Sequence, residues 1–428
     1  MHPATKEITT NHLPQSAIGQ RSSSLSQQNR IRSVLACYLA IWATAPVLAY
    51  GSSYRLAAVL AVAMWFTMDV FRNNGVIRRP GYLVLLSFAY VLYTAIISTE
   101  FDSSDDIVRQ LSTYICILFL LLYIGVKRID LSILKLSFWA VLWTYPVWIT
   151  ATLIAIQVDP RITRRLIRSS EEAIQATGSG IGGYALVYSL VFLIPMLVFL
   201  LIESRLWRAT NIRWNKTKSV LILANIALGT ALVFKAGYTI AVALLVLGLI
   251  LVLLPRRSGR FAIFAAGAVV LGLYFSLANW SDIKSGVLSA SNSTAYATKV
   301  DDIYRSVEAD ETIGTVDQRV ERYARSVSIF LEYPAIGSMS RTTVGKHSPI
   351  LDHLAQYGLI VGLVFSYIFL KVPMRFLNRD VRLLPLSRAI FVLAVLFAFL
   401  NNHFPAYGVV VFLMYPVVRA YAAEWRKT

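Results

Sequence analysis

Apolar runs of membrane-crossing length, separated by short polar and basic stretches, recur along nearly the whole chain. Since ~20 apolar residues in a helix cross the hydrocarbon core, the pattern predicts about twelve spans. They fall at 32–50, 54–71, 81–99, 107–126, 132–156, 183–202, 219–234, 237–254, 261–278, 352–371, 385–400 and 404–420. The seventh and eighth are joined by the short turn Lys235-Ala236-Gly237. One long polar stretch, 279–350, interrupts the series between the ninth and tenth spans. Within it Val316, Val320, Tyr323, Val327, Phe330 and Leu331 fall on one stripe, predicting an amphipathic helix over 316–331 with Glu321 one turn before Arg325. Glu332-Tyr333-Pro334 ends that helix. The first thirty residues, with Ser22-Ser23-Ser24 and Gln27-Gln28, are expected to be a disordered tail. The organisation expected is therefore a tail at 1–30, spans one to nine in 31–278, an external loop at 279–350, the last spans in 351–420 and a short tail at 421–428. This is an all-α polytopic membrane protein with one large external loop.

Composition agrees: the 428 residues are 57% hydrophobic and 15% charged, with a mean hydropathy of +0.60. The first apolar run is too long for a signal-peptide core and leads into further spans, so no cleavable leader is expected. Lys and Arg set the orientation. With the N-terminus inside, Arg72, Arg78, Arg79, Lys127, Arg128, the cluster from Arg205 to Lys218, Arg256 to Arg260 and Lys371 to Arg388 are cytoplasmic, as are both termini. The net charge of +18 then reflects topology and contact with anionic lipid headgroups, and no nucleic-acid partner is expected. Cys37 and Cys116 fall inside predicted spans, so a disulfide framework and a zinc site are not expected. Asp102, Asp105 and Asp106 are read as a solvated turn, with no metal.

The candidate chemistry lies outside the membrane. Ser348-Pro349 is a helix start, because the serine oxygen accepts an orphan backbone N–H and proline suits the first helical position. His347 thus stands just before a helix N-terminus. The positive end of the helix dipole disfavours the imidazolium, leaving a neutral His347 able to accept a proton, as a general base must. On the amphipathic helix Arg319 and Arg322 are neighbours. In the loop 157–183, Ile162, Leu166 and Ile167 lie on one side of a helical projection and Arg161, Arg164, Arg165 and Arg168 on the other, which reads as a basic helix on the membrane surface that also gathers phosphate. Gly178, Gly180, Gly182 and Gly183 follow it. Lys235 brings a cation to the edge of the hydrocarbon, where it snorkels or binds an anion. His353, near the start of the tenth span, His403, in Asn401-Asn402-His403-Phe404-Pro405, and Tyr323 are candidates for an acceptor site, with packed or interfacial roles as the alternatives for the two histidines.

The stretch RTTVGKHSPILDHLAQYGLIVG, 341–362, resembles the end of the large periplasmic loop in the O-antigen polymerase and O-antigen ligase superfamily. His347, Leu351, Gly358 and Gly362 match its motif, while Ser348 stands where the family usually has Asn. Arg319, Tyr323, Pro334 and Gly337 match the loop helix of the family, with Tyr for the commoner Trp. Lys235-Ala236 replaces a Ser-Arg pair thought to bind diphosphate, and Gly182-Gly183-Tyr184 with Tyr188 is similar to certain polysaccharide polymerases. The resemblance implies a membrane glycosyltransferase of the bacterial inner membrane that needs neither cofactor nor metal. Its donor would be an oligosaccharide on undecaprenyl diphosphate, with a chain-length regulator as a further partner. By the same resemblance Arg319 grips the donor phosphate, helped by Arg322, Lys235, Arg161, Arg164 and Arg165, and His347 is the base. Polymerase and ligase differ in acceptor, another lipid-linked repeat unit or the lipid A core, and polymerase is the reading preferred.

A transporter is the alternative from another class. Against it, the halves show no repeat, the connection from Glu203 to Lys218 is modest, and the span centres lack the acidic and basic relays of coupled transport. A membrane scaffold, the third alternative, leaves Arg319 and His347 dispensable.

Overall fold

The computed structural model describes residues 15–49, 52–70, 81–102, 114, 117, 131–166, 171–206, 216–253, 315–341, 344–345, 347–371, 383–400 and 408–424. Every regular element among them is helical: α1 Gln15–Thr44, α2 Ser52–Val70, α3 Gly81–Ile97, α4 Leu131–Val158, α5 Tyr184–Leu206, α6 Lys216–Lys235, α7 Thr239–Leu253, α8 Thr315–Glu332, α9 Pro349–Ser366, α10 Leu384–Leu400 and α11 Tyr415–Glu424, with three single-turn or two-turn pieces at Pro46–Ala49, Ile162–Arg165 and Glu171–Gly178. Wider π-turns prolong α3 and α9, at Ser98–Asp102 and Tyr367–Lys371, and precede α11, at Val409–Met414. By length and composition Ile133–Val158, Tyr184–Glu203, Lys216–Lys235 and Pro349–Lys371 can cross a membrane, and shorter apolar helices run over Ser53–Trp65, Leu85–Phe101, Thr239–Leu253, Leu384–Leu400 and Val409–Tyr421. The expected spans at 107–126, apart from Tyr114 and Ile117, and at 261–278 lie outside the described residues, as do the loop segment 279–314, His403 and the side chains of Arg165 and Arg319.

One expectation changes at the N-terminus. Helix α1 begins at Gln15, inside the tail read as disordered. Pro14 and Pro46 bracket a stretch free of proline. A membrane helix has already met the cost of nucleation, so each polar residue added at its start needs only propagation.

Helix α5 is the axis of the bundle. It is apolar all round, and Leu190 to Leu197 are buried on every side, which only a helix enclosed by others can sustain. Helices α6, α7 and α10 and the Val409–Met414 turn surround it. Close approach uses small residues: a Cβ at Gly248 would press on Pro195 and Leu393, and one at Gly229 on Leu190. Two buried side chains bond across helices, Asn225 donating to the Leu142 carbonyl at 3.0 Å and Tyr145 to Ser189 at 2.8 Å. Outer helices instead present large apolar residues outward, among them Leu56 and Leu60 on α2, Leu85 and Phe88 on α3, and Ile360 and Leu363 on α9. That is the surface a bilayer solvates.

Alternating helix directions gather the end of α4, the starts of α5, α7 and α9 and the ends of α6 and α10 at one end of the bundle, beside α8. At the opposite end the Lys135 and Lys218 ammonium groups lie over the rings of Tyr421 and Trp139, at 4.9 and 5.0 Å. The Trp139 indole donates to the Tyr421 hydroxyl at 2.7 Å. Lysines snorkelling beside Trp and Tyr mark a membrane interface.

Candidate functional site

Ser348 is the N-cap of α9 and Pro349 its first residue, as the sequence predicts. The serine oxygen accepts from the Leu351 N–H at 3.4 Å and its hydroxyl donates to the Ala398 carbonyl at 3.2 Å, so one side chain both starts α9 and fastens it to the end of α10. Ser348→Ala is expected to cost about 1–2 kcal/mol, through the lost cap and an unpaired buried carbonyl. A thermal-unfolding midpoint in detergent unchanged from that of the parent would contradict this.

His347, immediately before the cap, meets Arg322 from α8: Nη1 and Nε2 are 3.0 Å apart. A guanidinium has only donors, so Arg322 donates and Nε2 accepts. The imidazole in this arrangement is therefore neutral, with its proton on Nδ1. A loop wrap around α8 creates the meeting. Gly345 lies where a Cβ would overlap the Arg322 carbonyl. Its N–H donates to the Ser326 hydroxyl at 2.9 Å, and Ser326 donates to Asp352 Oδ1 at 2.7 Å. Ser326 and Asp352 are both buried. Neither was singled out in the sequence, although Asp352 could have been: a carboxylate in the first turn of a membrane helix is costly unless it has a task.

A second contact sets the height of the loop on α9. At Gly358, φ 73° and ψ −176°, the helix breaks. The carbonyls of Ala355 and Gln356 there accept from the N–H groups of Ser338 and Met339, at 2.8 and 2.9 Å, and the Leu359 N–H donates to the Pro334 carbonyl at 2.8 Å. Backbone freed within a membrane helix is thus satisfied by the loop, the condition under which a broken helix is tolerated at that depth. Gly337 and Gly358 allow the crossing: a Cβ on Gly337 would overlap the Gln356 carbonyl, and one on Gly358 the Ala335 carbonyl. Pro334, Gly337 and Gly358, read in the sequence as separate motif positions, are one backbone-on-backbone joint.

The neighbouring lobe carries Arg164. Arg161 and Arg164 were expected together on the outer side of a surface helix, but the helical piece is a single turn, Ile162–Arg165, with Thr163 and Leu166 buried. So short a turn follows its packing. Arg161 is exposed, whereas Arg164 turns inward, donating from Nη2 to the Gly237 carbonyl at 2.6 Å and lying 5.6 Å from the centre of the Tyr238 ring. This pins the α6–α7 turn, where Gly237 takes φ 69° and the exposed Lys235 ends α6. Tyr238 stacks on Tyr184 at 4.2 Å and runs parallel to Tyr188 at 6.1 Å. The buried Nε of Arg164 and the hydroxyls of Thr163, Tyr238 and Thr239 have no hydrogen-bond partner among the described residues.

The end of α10 connects the lobes. Phe397 packs edge-on against Tyr188 at 5.5 Å, and its neighbour Ala398 receives Ser348. Hence His347, Arg322, Arg164 and Lys235, far apart in the chain, sit at one end of the bundle. Arg319 is one turn before Arg322 and Tyr323 on α8, and Tyr323 is half-buried.

His353 takes no part in this group. The Pro349 carbonyl, 2.6 Å from Nδ1, can only accept, so Nδ1 carries the proton and Nε2 accepts from the Tyr90 hydroxyl at 2.9 Å. The ring also stacks on Phe365 at 3.7 Å. Both nitrogens are spent, which makes His353 a packed residue tying α3 to α9 rather than an acceptor-site group.

No protein-family model matches the chain, and no curated protein matches it.

Proposed function

We propose that the chain is a glycosyltransferase of the bacterial inner membrane, with about twelve spans, a large periplasmic loop and both termini cytoplasmic, that polymerises glycan repeat units. The donor glycan is carried on undecaprenyl diphosphate and the acceptor is a hydroxyl of a second lipid-linked repeat unit. The observation that carries this reading is the Arg322–His347 hydrogen bond at the mouth of a broken membrane helix: a neutral imidazole and a cation that can exchange partners.

When a diphosphate draws Arg322 away, the lone pair of His347 Nε2 becomes available to the acceptor hydroxyl. The proton passes to Nε2, the hydroxyl oxygen bonds the anomeric carbon, and the bond from that carbon to the lipid diphosphate breaks with its electron pair. Arg319 and Arg322, with Lys235, Arg164 and Arg161 from the adjacent lobe, stabilise the departing charge. A diphosphate so neutralised leaves readily, and the scheme calls for no metal. In it Arg164 contributes through the α6–α7 turn as much as through charge, since one arm is committed to Gly237.

Deleting the gene in its source bacterium and restoring it tests the reading. A surface-polysaccharide ladder that collapses to core bearing one repeat unit supports polymerase action. Bare core with accumulated lipid-linked polymer would instead make the acceptor lipid A core and the chain a ligase. An unchanged profile would count against both.

A further inference from the structure

Helix α8 has three faces, not two. Ser326 is buried, and Tyr323, Ile329 and Phe330 are partly buried toward α9. Glu321, Arg325, Ser328 and Glu332 form a polar face. Between these the stripe Val320, Val327 and Leu331 is 48%, 41% and 70% exposed. The stripe expected from the sequence, Val316, Val320, Tyr323, Val327, Phe330 and Leu331, is thus split, Tyr323 and Phe330 being partly buried while Val320, Val327 and Leu331, whose ordinary destination is a core, are not. These three face outward from a helix held rigidly by Ser326, Gly345 and the Gly337–Gly358 joint.

We infer that this stripe is seated in the lipid headgroup–acyl boundary, so that α8 is an interfacial membrane helix holding Arg322 and His347 at the height of lipid headgroups. The occupant follows from continuity. Past Leu331 the exposed apolar surface runs on through Tyr333 and Ile336, whose neighbours Pro334 and Ala335 sit directly on the break in α9, and then along α9 itself at Leu359, Ile360 and Leu363. Those α9 residues belong to a helix apolar and long enough to cross a bilayer. The Tyr93 hydroxyl of α3 reaches the Ile336 carbonyl at 3.5 Å, so the seam is bordered by the exposed apolar residues of α3 as well. One lipid-facing surface thus climbs α9 and turns onto α8. A helix with one apolar face and one charged face is the form that settles in the interface. The substrate then meets the Arg322–His347 pair with its reacting bond next to its own lipid anchor. This inference rests on the membrane character of the chain and not on the transfer reaction.

The test uses the full chain with Cys37→Ala and Cys116→Ala, carrying one nitroxide through Val320→Cys, Val327→Cys or Leu331→Cys on the apolar stripe, or Glu321→Cys or Arg325→Cys on the polar face. Each protein is reconstituted in phosphatidylethanolamine–phosphatidylglycerol vesicles, after eluting as the same species as the unlabelled chain. Collisions with oxygen, which concentrates in hydrocarbon, are compared with collisions with a water-soluble nickel chelate. The expected ratio of oxygen to nickel collisions is above that of the polar-face labels at all three stripe positions. A ratio equal on the two faces overturns the inference, because the helix then stands in water. Shielding of the stripe from both reagents overturns it as well, since protein then covers the face, either residues 279–314 or a second copy. Neither readout depends on glycan transfer, so failure here and failure of the polymerase reading are separable.

Discussion

His347→Ala is expected to reduce polymer formation by a factor on the order of 10²–10⁴, the usual contribution of a positioned general base. The His347 imidazole combines a neutral lone pair with a neighbouring cation on a different element, and the hydrogen bond from Arg322 at 3.0 Å shows which nitrogen carries that lone pair. His347→Gln separates the possible roles. The glutamine carbonyl accepts from Arg322 as Nε2 does but cannot take up a proton. Loss of activity in both variants, at normal membrane levels and unchanged thermal midpoint, assigns proton transfer to His347. Activity retained by the glutamine variant would reduce the histidine to a holder of Arg322, and activity retained by both would remove it from the reaction. Arg322→Ala complements these: the histidine is released from its donor but the anion loses a ligand, so donor affinity falls even where proton transfer survives.

Gly358→Ala is expected to have a large structural effect for a single added methyl. The backbone there lies in a region open to glycine almost alone, with a strain of about 1–3 kcal/mol for another residue. The new Cβ would also overlap the Ala335 carbonyl, which backbone cannot move aside without giving up the bonds from Ser338, Met339 and Leu359. Those bonds hold the loop to α9. The expected result is a lower unfolding midpoint together with loss of activity, while Gly362→Ala, which meets the side chain and Cα of Leu354 but needs no positive φ, is expected to be milder. The comparison is read by thermal unfolding in detergent and by polymer yield from the same preparations. If Gly358→Ala matched the parent in both, the broken helix would have no part in placing the loop.

Much of the scaffold was legible because its causes are local. The ends of α4, α6, α7 and α10 fall within a few residues of the runs read from hydropathy, since each boundary is where apolar residues stop. The start of α9 was legible for a different local reason, Ser348 and Pro349 being a cap whatever surrounds them. Helix α8 was found to within one residue at each end from its period and from Pro334. What the period did not tell is which side of α8 meets protein. In a soluble domain an apolar stripe points at the core, but beside a bilayer lipid competes for it, and Ser326 took the inner position. Arg164 was misplaced on similar grounds. A projection assumes a helix free to rotate its charged side outward, and a single turn wedged between α4 and α5 has no such freedom.

The sequence by itself therefore determined most of the described helices, their order, and the residue types from which a transfer site can be made. Hydropathy, capping and proline act within a few residues, and the chain carries them openly. Tertiary structure alone decided the partners: Arg322 for His347, Ser326 for Asp352, Tyr90 for His353, Gly237 for Arg164, and the loop carbonyl and N–H groups for the break at Gly358. Each is a hydrogen bond between elements separated in the chain, and its geometry exists only once the helices have packed.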